Sequence, residues 1–409
     1  MRALVISGGG SKGAFAGGVA QHLIQEQKRR YDLFLGTSTG SLLIPHLAAG
    51  NIQKVYDIYT NVTQRTIFSV NPFVVKKKDG REYVTINYLN TVWQFIRQRR
   101  TFGESKALRR SIRKNFSQQD FNELKSNIKD VVVTVSNLSK NRVEYKSIHD
   151  FEYDDFCDWI WISCNYIPFM SLATKDGFEY ADGGLGCVVP IREAIKRGAT
   201  EVDAIILEAE NMEYNKVLGK NPFSLMVNLF GFLLDQVEYH DIVEGKLAAM
   251  NKKVKLNIYY TPTKLTENSL VFNKKDMTDW WQQGFEYAEK KEMERKASSN
   301  SIGSGGSTWW VRPCTVGREE DGVDTVYVGS TFGSPENKQF DATGIDPVLA
   351  SNKNKGEAII AVTNVSIDDA GVATYSKKGI NDTKISYRED EHHQPMIFLN
   401  PINGQLITS

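Results

Sequence analysis

The amino-acid sequence predicts an α/β protein, a three-layer α/β/α sandwich around a mainly parallel sheet, followed by a small β-rich C-terminal domain. Two short apolar runs, at 3–6 and 33–35, each lead into a glycine-containing turn and then into a helix-like stretch. Further buried-strand runs follow at 131–135 and 203–207, with helical segments between them. Strands that alternate with helices indicate parallel pairing, with helices covering both faces of the sheet.

The first turn is rich in glycine and lies between the strand at 3–6 and a helix predicted from 14 to about 27. Its residues are Gly8, Gly9, Gly10, Ser11, Lys12 and Gly13. Free backbone N–H groups at such a turn favour an anion, either a phosphate or the oxyanion of an acyl-transfer intermediate. The order of residues fits neither a Walker A motif nor a dinucleotide-binding G-x-G-x-x-G. The turn is therefore a candidate oxyanion-binding loop.

The second turn has the pattern G-x-S-x-G, formed by Gly36, Ser38 and Gly40 between an apolar run and a helix. A serine on such a strand-to-helix turn is exposed and strained, and its glycine neighbours allow adjacent elements to pass closely. Ser38 is therefore a candidate nucleophile. Taken alone, the pattern fits a structural turn equally well, because three fixed positions recur by chance.

A third turn contains Asp182, Gly183 and Gly184, after a short apolar run at Phe178. Asp-Gly-Gly is an ordinary turn sequence by itself. Its combination with the serine turn and the glycine-rich turn favours a catalytic role for Asp182.

These three motifs, in this order, resemble the patatin-like phospholipase family over residues 1 to about 291. That family has a G-G-G-x-[KR]-G loop, a G-x-S-x-G serine and a D-G-[GA] aspartate. It also has a block with Ser and Pro before the aspartate, and residues 163–168 are a loose version of that block. The resemblance implies a patatin-like sandwich and hydrolysis of fatty-acyl esters of phospholipids or lysophospholipids, with neither a cofactor nor a metal.

The resemblance also implies a Ser/Asp dyad, in which Ser38 attacks the ester and Asp182 acts as the general base. The amides of Gly9, Gly10 and Ser11 would then hold the oxyanion. An ordinary aspartate, with a pKa near ~4, is a poor base for a hydroxyl, so burial or hydrogen bonding must raise the pKa of Asp182. The six histidines fit helix faces or loops better than a triad, although the sequence leaves His149 and His240 open.

The other predicted elements of this domain are a helix over 155–166, a half-exposed strand over 254–260 and a closing helix over 277–295. The most apolar long segment, 223–234, is too short to span a bilayer. The four cysteines have no metal-binding spacing, and no secretory leader precedes the first strand, so the expected location is the cytoplasm.

A basic insert interrupts the alternation of strands and helices between residues 76 and 114. This insert contains twelve Lys and Arg but only three acidic residues. No nucleic-acid-binding motif accompanies it, so the expected partner is an anionic membrane surface, reached peripherally, and not a nucleic acid. A solvated helix face is the alternative. The candidate membrane-docking residues are Lys76, Lys77, Lys78 and Arg81.

The predicted domain boundary is a small, polar, glycine-rich linker at 297–307, between a domain over 1–296 and one over 308–409. The last segment is acidic and has short β-like runs, either as a natural domain or as an engineered fusion. His392 and His393 lack further spaced ligands for a metal. The alternatives to a hydrolase are an acyltransferase of similar fold and an inactive lipid-binding protein.

Overall fold

The structure is a computed structural model of the 409-residue chain. It describes residues 1–78, 81–127, 129–210, 222–266 and 268–301, and short strands between 307 and 408. Side chains are described for residues 1–75, 85–127, 129–210, 225–266 and 268–295. The chain divides into two compact units, Met1–Lys290 and Lys291–Ser409. The predicted linker at 297–307 stays a prediction.

A central sheet organises the first unit, and its parallel part runs in the order β10, β9, β1, β2, β5. These strands are β1 (Arg2–Ile6), β2 (Leu33–Thr37), β5 (Asp130–Asn137), β9 (Glu201–Ala209) and β10 (Lys255–Thr261). Three antiparallel strands extend the sheet beyond β5, namely β6 (Arg142–Ser147), β7 (Ala173–Lys175) and β8 (Phe178–Asp182). The predicted mainly parallel sheet is confirmed.

Helices follow most of the parallel strands, as the alternating pattern predicts. A separate hairpin, β3 (Phe73–Lys78) and β4 (Arg81–Ile86), precedes the fifth helix. The helices of the described chain are α1 (Gly13–Gln21), α2 (Thr39–Ala48), α3 (Ile52–Asn61), α4 (Gln64–Ile67), α5 (Tyr88–Ile96), α6 (Lys106–Asn115), α7 (Gln118–Ser126), α8 (Tyr153–Ser163), α9 (Ile191–Lys196), α10 (Pro222–Asn251) and α11 (Lys274–Ser301). No helix in this described part combines the length and the apolar composition that a bilayer crossing requires.

Two hydrophobic cores lie on opposite faces of the sheet, because successive side chains of a strand point to opposite sides. In β1, Leu4 and Ile6 belong to one core, whereas Ala3 and Val5 belong to the other. All four side chains are fully buried. This arrangement is the predicted three-layer sandwich.

The second unit contains short strands, as predicted for a β-rich segment. Their bounds are Ser307–Trp310 (β11), Cys314–Arg318 (β12), Gly322–Phe332 (β13), Glu357–Ala361 (β14), Asn364–Ile367 (β15), Ala373–Ser376 (β16), Lys384–Tyr387 (β17), Ile397–Leu399 (β18) and Leu406–Thr408 (β19). His392 and His393 lie outside the described residues.

Candidate active site

Ser38 occupies the sharp turn between β2 and α2, with φ 53° and ψ −117°. A residue with a side chain rarely adopts such a positive φ, so the surrounding structure holds the serine in a strained conformation. A Cβ on Gly36 would overlap the backbone of Gly40, and a Cβ on Gly40 would overlap the carbonyl of Ile6. Gly36 is therefore needed for the turn to close on itself, and Gly40 for the turn to pack against the end of β1.

Asp182 ends β8, where this strand pairs antiparallel with the last residues of β5. Its side chain is buried, with 4% of its surface exposed. The carboxylate accepts a hydrogen bond at 2.8 Å from the backbone N–H of Gly184, and the Ser38 side chain lies close enough to the carboxylate to lower the pKa of Asp182. A Cβ on Gly183 would overlap the carbonyl of Thr134, so this glycine lets the aspartate turn approach β5 closely. The fold thus brings the predicted nucleophile and the predicted base into contact.

Burial raises the pKa of the Asp182 carboxyl to about 7, although the hydrogen bond from Gly184 and the nearby Ser38 side chain oppose this shift. Burial in a low-dielectric site disfavours the charged form of a carboxylate, and this makes the group a stronger base. The neighbouring Cys164 and Tyr166 have raised pKa values, first because they are buried and then because of the Asp182 charge. These two neighbours are therefore neutral near pH 7.

One short segment, at the end of α8, contacts both the predicted nucleophile and the predicted base. The Ser38 N–H donates to Ser163 Oγ at 3.0 Å, and the Cys164 thiol donates to the Ser38 carbonyl at 3.1 Å. The Asp182 N–H donates to the Asn165 carbonyl at 2.9 Å. The Ser- and Pro-containing block in the sequence marks this segment, but its positioning role could not be read from the sequence.

The glycine-rich loop lies directly beside the nucleophile, because a Cβ on Gly8 would be 3.5 Å from the Cβ of Ser38. In the part of the chain that the structure describes, the amides of Gly9 and Gly10 donate no hydrogen bond. The amide of Ser11, by contrast, donates to the Ser269 carbonyl at 2.8 Å. The free donors of the loop are therefore those of Gly9 and Gly10, and sequence reasoning carried no signal for Ser269.

Lys12 and Gly13 hold the glycine-rich loop in place. The Lys12 side chain is buried and forms an ion pair with Glu208, while its backbone N–H donates to the Gly9 carbonyl at 3.2 Å. A Cβ on Gly13 would come within 2.6 Å of Thr39 Oγ1, so the absence of a side chain lets α1 approach α2. These contacts hold the loop in its conformation, and the Lys12 ammonium is paired with the Glu208 carboxylate.

His149 and His240, for which the sequence left a catalytic role open, make their contacts elsewhere. His149 Nε2 is 3.0 Å from the Lys129 carbonyl oxygen, and the His240 ring contacts Tyr239. His46 is buried, which lowers its pKa to about 4, and its ring contacts Phe116. No hydrogen bond within the described residues joins any histidine to the dyad.

The candidate membrane-docking residues belong to the β3–β4 hairpin, whose backbone pairing is described. The side chains of Lys76, Lys77, Lys78 and Arg81 lie outside the described residues. Among the described side chains, no group of three or more potential metal ligands lies together.

Three comparisons relate this chain to known proteins. The chain is 26% identical over 259 residues to the uncharacterised protein YjjU of Escherichia coli (strain K12), covering 59% of this chain and 63% of YjjU. The crystal structure of VipD from Legionella pneumophila is similar with a TM-score of 0.35 and 11% identity, covering 71% of this chain and 66% of VipD. This chain thus covers less than two thirds of either protein. The profile of the patatin-like phospholipases matches residues 4–195. Residues 4–195 therefore form a domain of the patatin-like phospholipase family, as the three sequence motifs predicted.

Proposed function

We propose that the protein is a serine hydrolase that cleaves fatty-acyl esters of phospholipids or lysophospholipids through an acyl-enzyme. Membership of the patatin-like phospholipase family supports a lipid acyl hydrolase in general terms. The finer proposal rests on one observation, the closeness of the Ser38 hydroxyl to the buried carboxylate of Asp182, which is enough to lower the pKa of that carboxyl. A weak oxygen nucleophile needs an adjacent base to accept its proton, and this contact supplies one.

In the first half of the reaction, Ser38 Oγ attacks the ester carbonyl carbon while its proton moves to Asp182. The tetrahedral intermediate carries a negative oxygen, which the amides of Gly9 and Gly10 would stabilise by hydrogen bonds. Collapse of the intermediate breaks the carbonyl carbon–oxygen bond of the ester. The departing alcohol takes the proton from Asp182, and the acyl group remains on Ser38.

The second half releases the acyl group. Asp182, again a carboxylate, takes a proton from a water molecule, and the resulting hydroxide attacks the acyl-enzyme carbonyl. The bond to Ser38 Oγ breaks, the serine regains the proton, and a free fatty acid departs. An acceptor alcohol in place of water would make the same protein an acyltransferase, so the products discriminate between the two reactions.

Product analysis tests the reaction class directly. Incubation with a phospholipid mixture is expected to yield free fatty acid and lysophospholipid in equal amounts, measured by mass spectrometry. The Ser38→Ala variant serves as the blank. Transfer of the acyl group to an added alcohol without fatty-acid release would point to an acyltransferase. Binding without any product would point to an inactive lipid-binding protein.

The pH dependence of catalysis tests Asp182 as the base. Its pKa of about 7 means that the active carboxylate form is lost as the pH falls. We expect kcat/KM for a soluble short-chain ester to rise with pH, to level off above about 7, and to be about 100-fold lower at two units below the pKa.

A control separates this titration from that of another buried acid. Burial also raises the pKa of Glu238, in α10, to about 8, and the Glu208 charge adds to the shift. The Glu238→Gln variant is expected to keep the inflection near pH 7. A profile that is flat between pH 5 and 8 in the wild type would contradict the role of Asp182.

We also propose that the protein acts peripherally at anionic membranes, with Lys76, Lys77, Lys78 and Arg81 as part of the docking surface. Support comes from the sequence, because each Lys or Arg near an anionic surface contributes about 1 kcal/mol of attraction. The β3–β4 hairpin places these four positions on one compact element. Binding to lipid vesicles tests these positions together with helix α5.

A further inference from the structure

Helix α5 has its polar and apolar faces reversed relative to a helix that packs on a core. The side chains of Thr91 and Gln94 are buried, with 3% and 1% exposed. Leu89 is 85% exposed and Ile96 is 66% exposed. Helices of soluble domains usually bury the apolar face and expose the polar one. The exposed apolar side chains of α5 are Tyr88, Leu89, Val92, Trp93, Phe95 and Ile96.

The buried polar side chains of α5 make few hydrogen bonds. Among the described residues, Thr91 Oγ1 and Gln94 Nε2 have no hydrogen-bond partner. The start of the helix is fixed instead by Asn90, whose side-chain amide donates to the Asn71 carbonyl at 2.8 Å. Inward packing therefore does not explain the apolar residues on the outer face. An exposed apolar surface of this kind marks a contact with a partner or a lipid phase.

A line of aromatic rings connects α5 to the active site. The ring centroids of Phe95 and Phe102 are 6.1 Å apart, those of Phe102 and Phe169 are 6.1 Å apart, and those of Phe169 and Tyr166 are 5.7 Å apart. Tyr166 is near enough to Asp182 for the carboxylate charge to raise the pKa of its phenol. The exposed face of α5 is thus continuous with the surroundings of the dyad.

The first half of α10 reaches the same place from the other side. The ring of Phe230 is 6.3 Å from that of Tyr166, and a Cβ on Gly184 would lie 3.8 Å from Leu234. This part of α10 also exposes large apolar side chains, those of Leu225, Leu229, Phe232 and Leu233. Two exposed apolar helices therefore converge on Tyr166, beside the dyad.

Positive charge borders the exposed face of α5 at Arg97, and this charge favours an anionic partner. The guanidinium of Arg97 lies 4.8 Å from the centre of the Trp93 ring, whereas Arg99 and Arg100 form ion pairs with Glu104 and Glu179. The hairpin with the four basic docking positions ends at Ile86, directly before α5. Apolar side chains bordered by Trp and Arg match the acyl region and the anionic headgroups of a lipid layer.

We propose that the exposed face of α5, together with the first half of α10, inserts into an anionic lipid layer and delivers lipid to Ser38. This inference rests on the proposed hydrolase function. It locates the substrate in a membrane and makes the line of aromatic rings the route by which lipid enters the site. The occupant of the apolar face is lipid and not a second protein.

The experiment measures binding of the full chain to vesicles of ether-linked lipids, which an ester hydrolase cannot cleave. One set is phosphatidylcholine alone, and the other has equal parts of phosphatidylcholine and phosphatidylglycerol. The triple variant Leu89→Gln/Val92→Gln/Ile96→Gln is expected to bind both sets at least about 10-fold more weakly, because three apolar side chains no longer leave water. Met293→Gln, a change at a 60% exposed apolar residue of α11, is the matched control and should bind normally.

A second variant tests the hairpin, with Gln at positions 76, 77, 78 and 81. It should lose binding to the anionic vesicles alone, and added salt should reduce wild-type binding in the same way. Turnover of a soluble short-chain ester should be unchanged in every variant, which shows that each one is folded.

The outcomes separate this inference from the proposed function. Wild-type protein that fails to hydrolyse the soluble ester would overturn the hydrolase function, whatever the vesicles show. Normal ester turnover with equal vesicle binding by the wild type and the α5 variant would overturn the docking surface. A dimeric wild type and a monomeric α5 variant in light scattering would also overturn it, because the face would then be covered by a second copy.

Discussion

Replacement of Ser38 by Ala is expected to reduce kcat/KM for a short-chain ester by at least about 10⁴-fold, because no acyl-enzyme can form. Asp182→Ala should cause a loss of similar size, since the two adjacent groups act as one unit. For the same reason, the double variant should be no slower than either single variant. Steady-state kinetics on all three proteins measures this.

A fluorophosphonate probe gives an independent readout of the nucleophile. It should label wild-type protein at Ser38 and leave Ser38→Ala unlabelled. Ser126→Ala, a change at an exposed serine at the end of α7, is the control and should label and turn over normally. If Ser38→Ala kept more than about one hundredth of the wild-type activity, the assignment of the nucleophile would be wrong.

Gly10→Ala is expected to lower kcat by at least about 100-fold, the effect of losing an oxyanion donor. Gly10 has φ +57°, and a Cβ there would overlap the Ser269 carbonyl, so the loop must shift and its amides must turn away. Gly9→Ala should act in the same direction, because a Cβ on Gly9 would come within 2.7 Å of the Leu207 side chain. KM should change less than kcat, since the oxyanion forms after binding.

A control variant separates the effect of backbone strain on kcat from the effect of losing the oxyanion donors. Gly50 has φ +75°, yet a Cβ on it would have no neighbour within 4 Å. Gly50→Ala therefore introduces a similar strain away from the site and should keep normal turnover at a somewhat lower melting temperature. Near-normal kcat in a folded Gly10→Ala protein would remove this loop from the mechanism.

The sequence predicts the parallel part of the sheet well, because buried parallel strands have nearly continuous apolar runs. Val131 to Val135 is such a run, and it lies within β5. The antiparallel strands β6 and β7 were not predicted. Their residues are mixed in polarity, as in Arg142–Ser147, and half exposed, so pairing with a neighbour decides their structure more than their own composition does.

The motifs also predict Ser38 and Asp182 as the dyad, since a strained serine and a close aspartate both demand adjacent glycines. The carbonyl of Ser269, which engages the Ser11 amide, leaves no trace in the sequence, because every residue type has a carbonyl. The reversed orientation of α5 was equally hidden. Its periodicity shows two faces but not which one meets the core.

The short connection formed by Ser163, Cys164 and Asn165 has an evolutionary consequence. These three residues join Ser38 to Asp182, and the stretch of chain between β2 and β5 supports them through two side-chain contacts, from Ser41 to Ser163 and from Ser105 to Asn165. Insertions, deletions or exchanged modules elsewhere in that stretch, away from Ser41 and Ser105, can then change the surface of the protein without changing these contacts. In the proposed hydrolase, such changes would let substrate choice diversify separately from the chemistry.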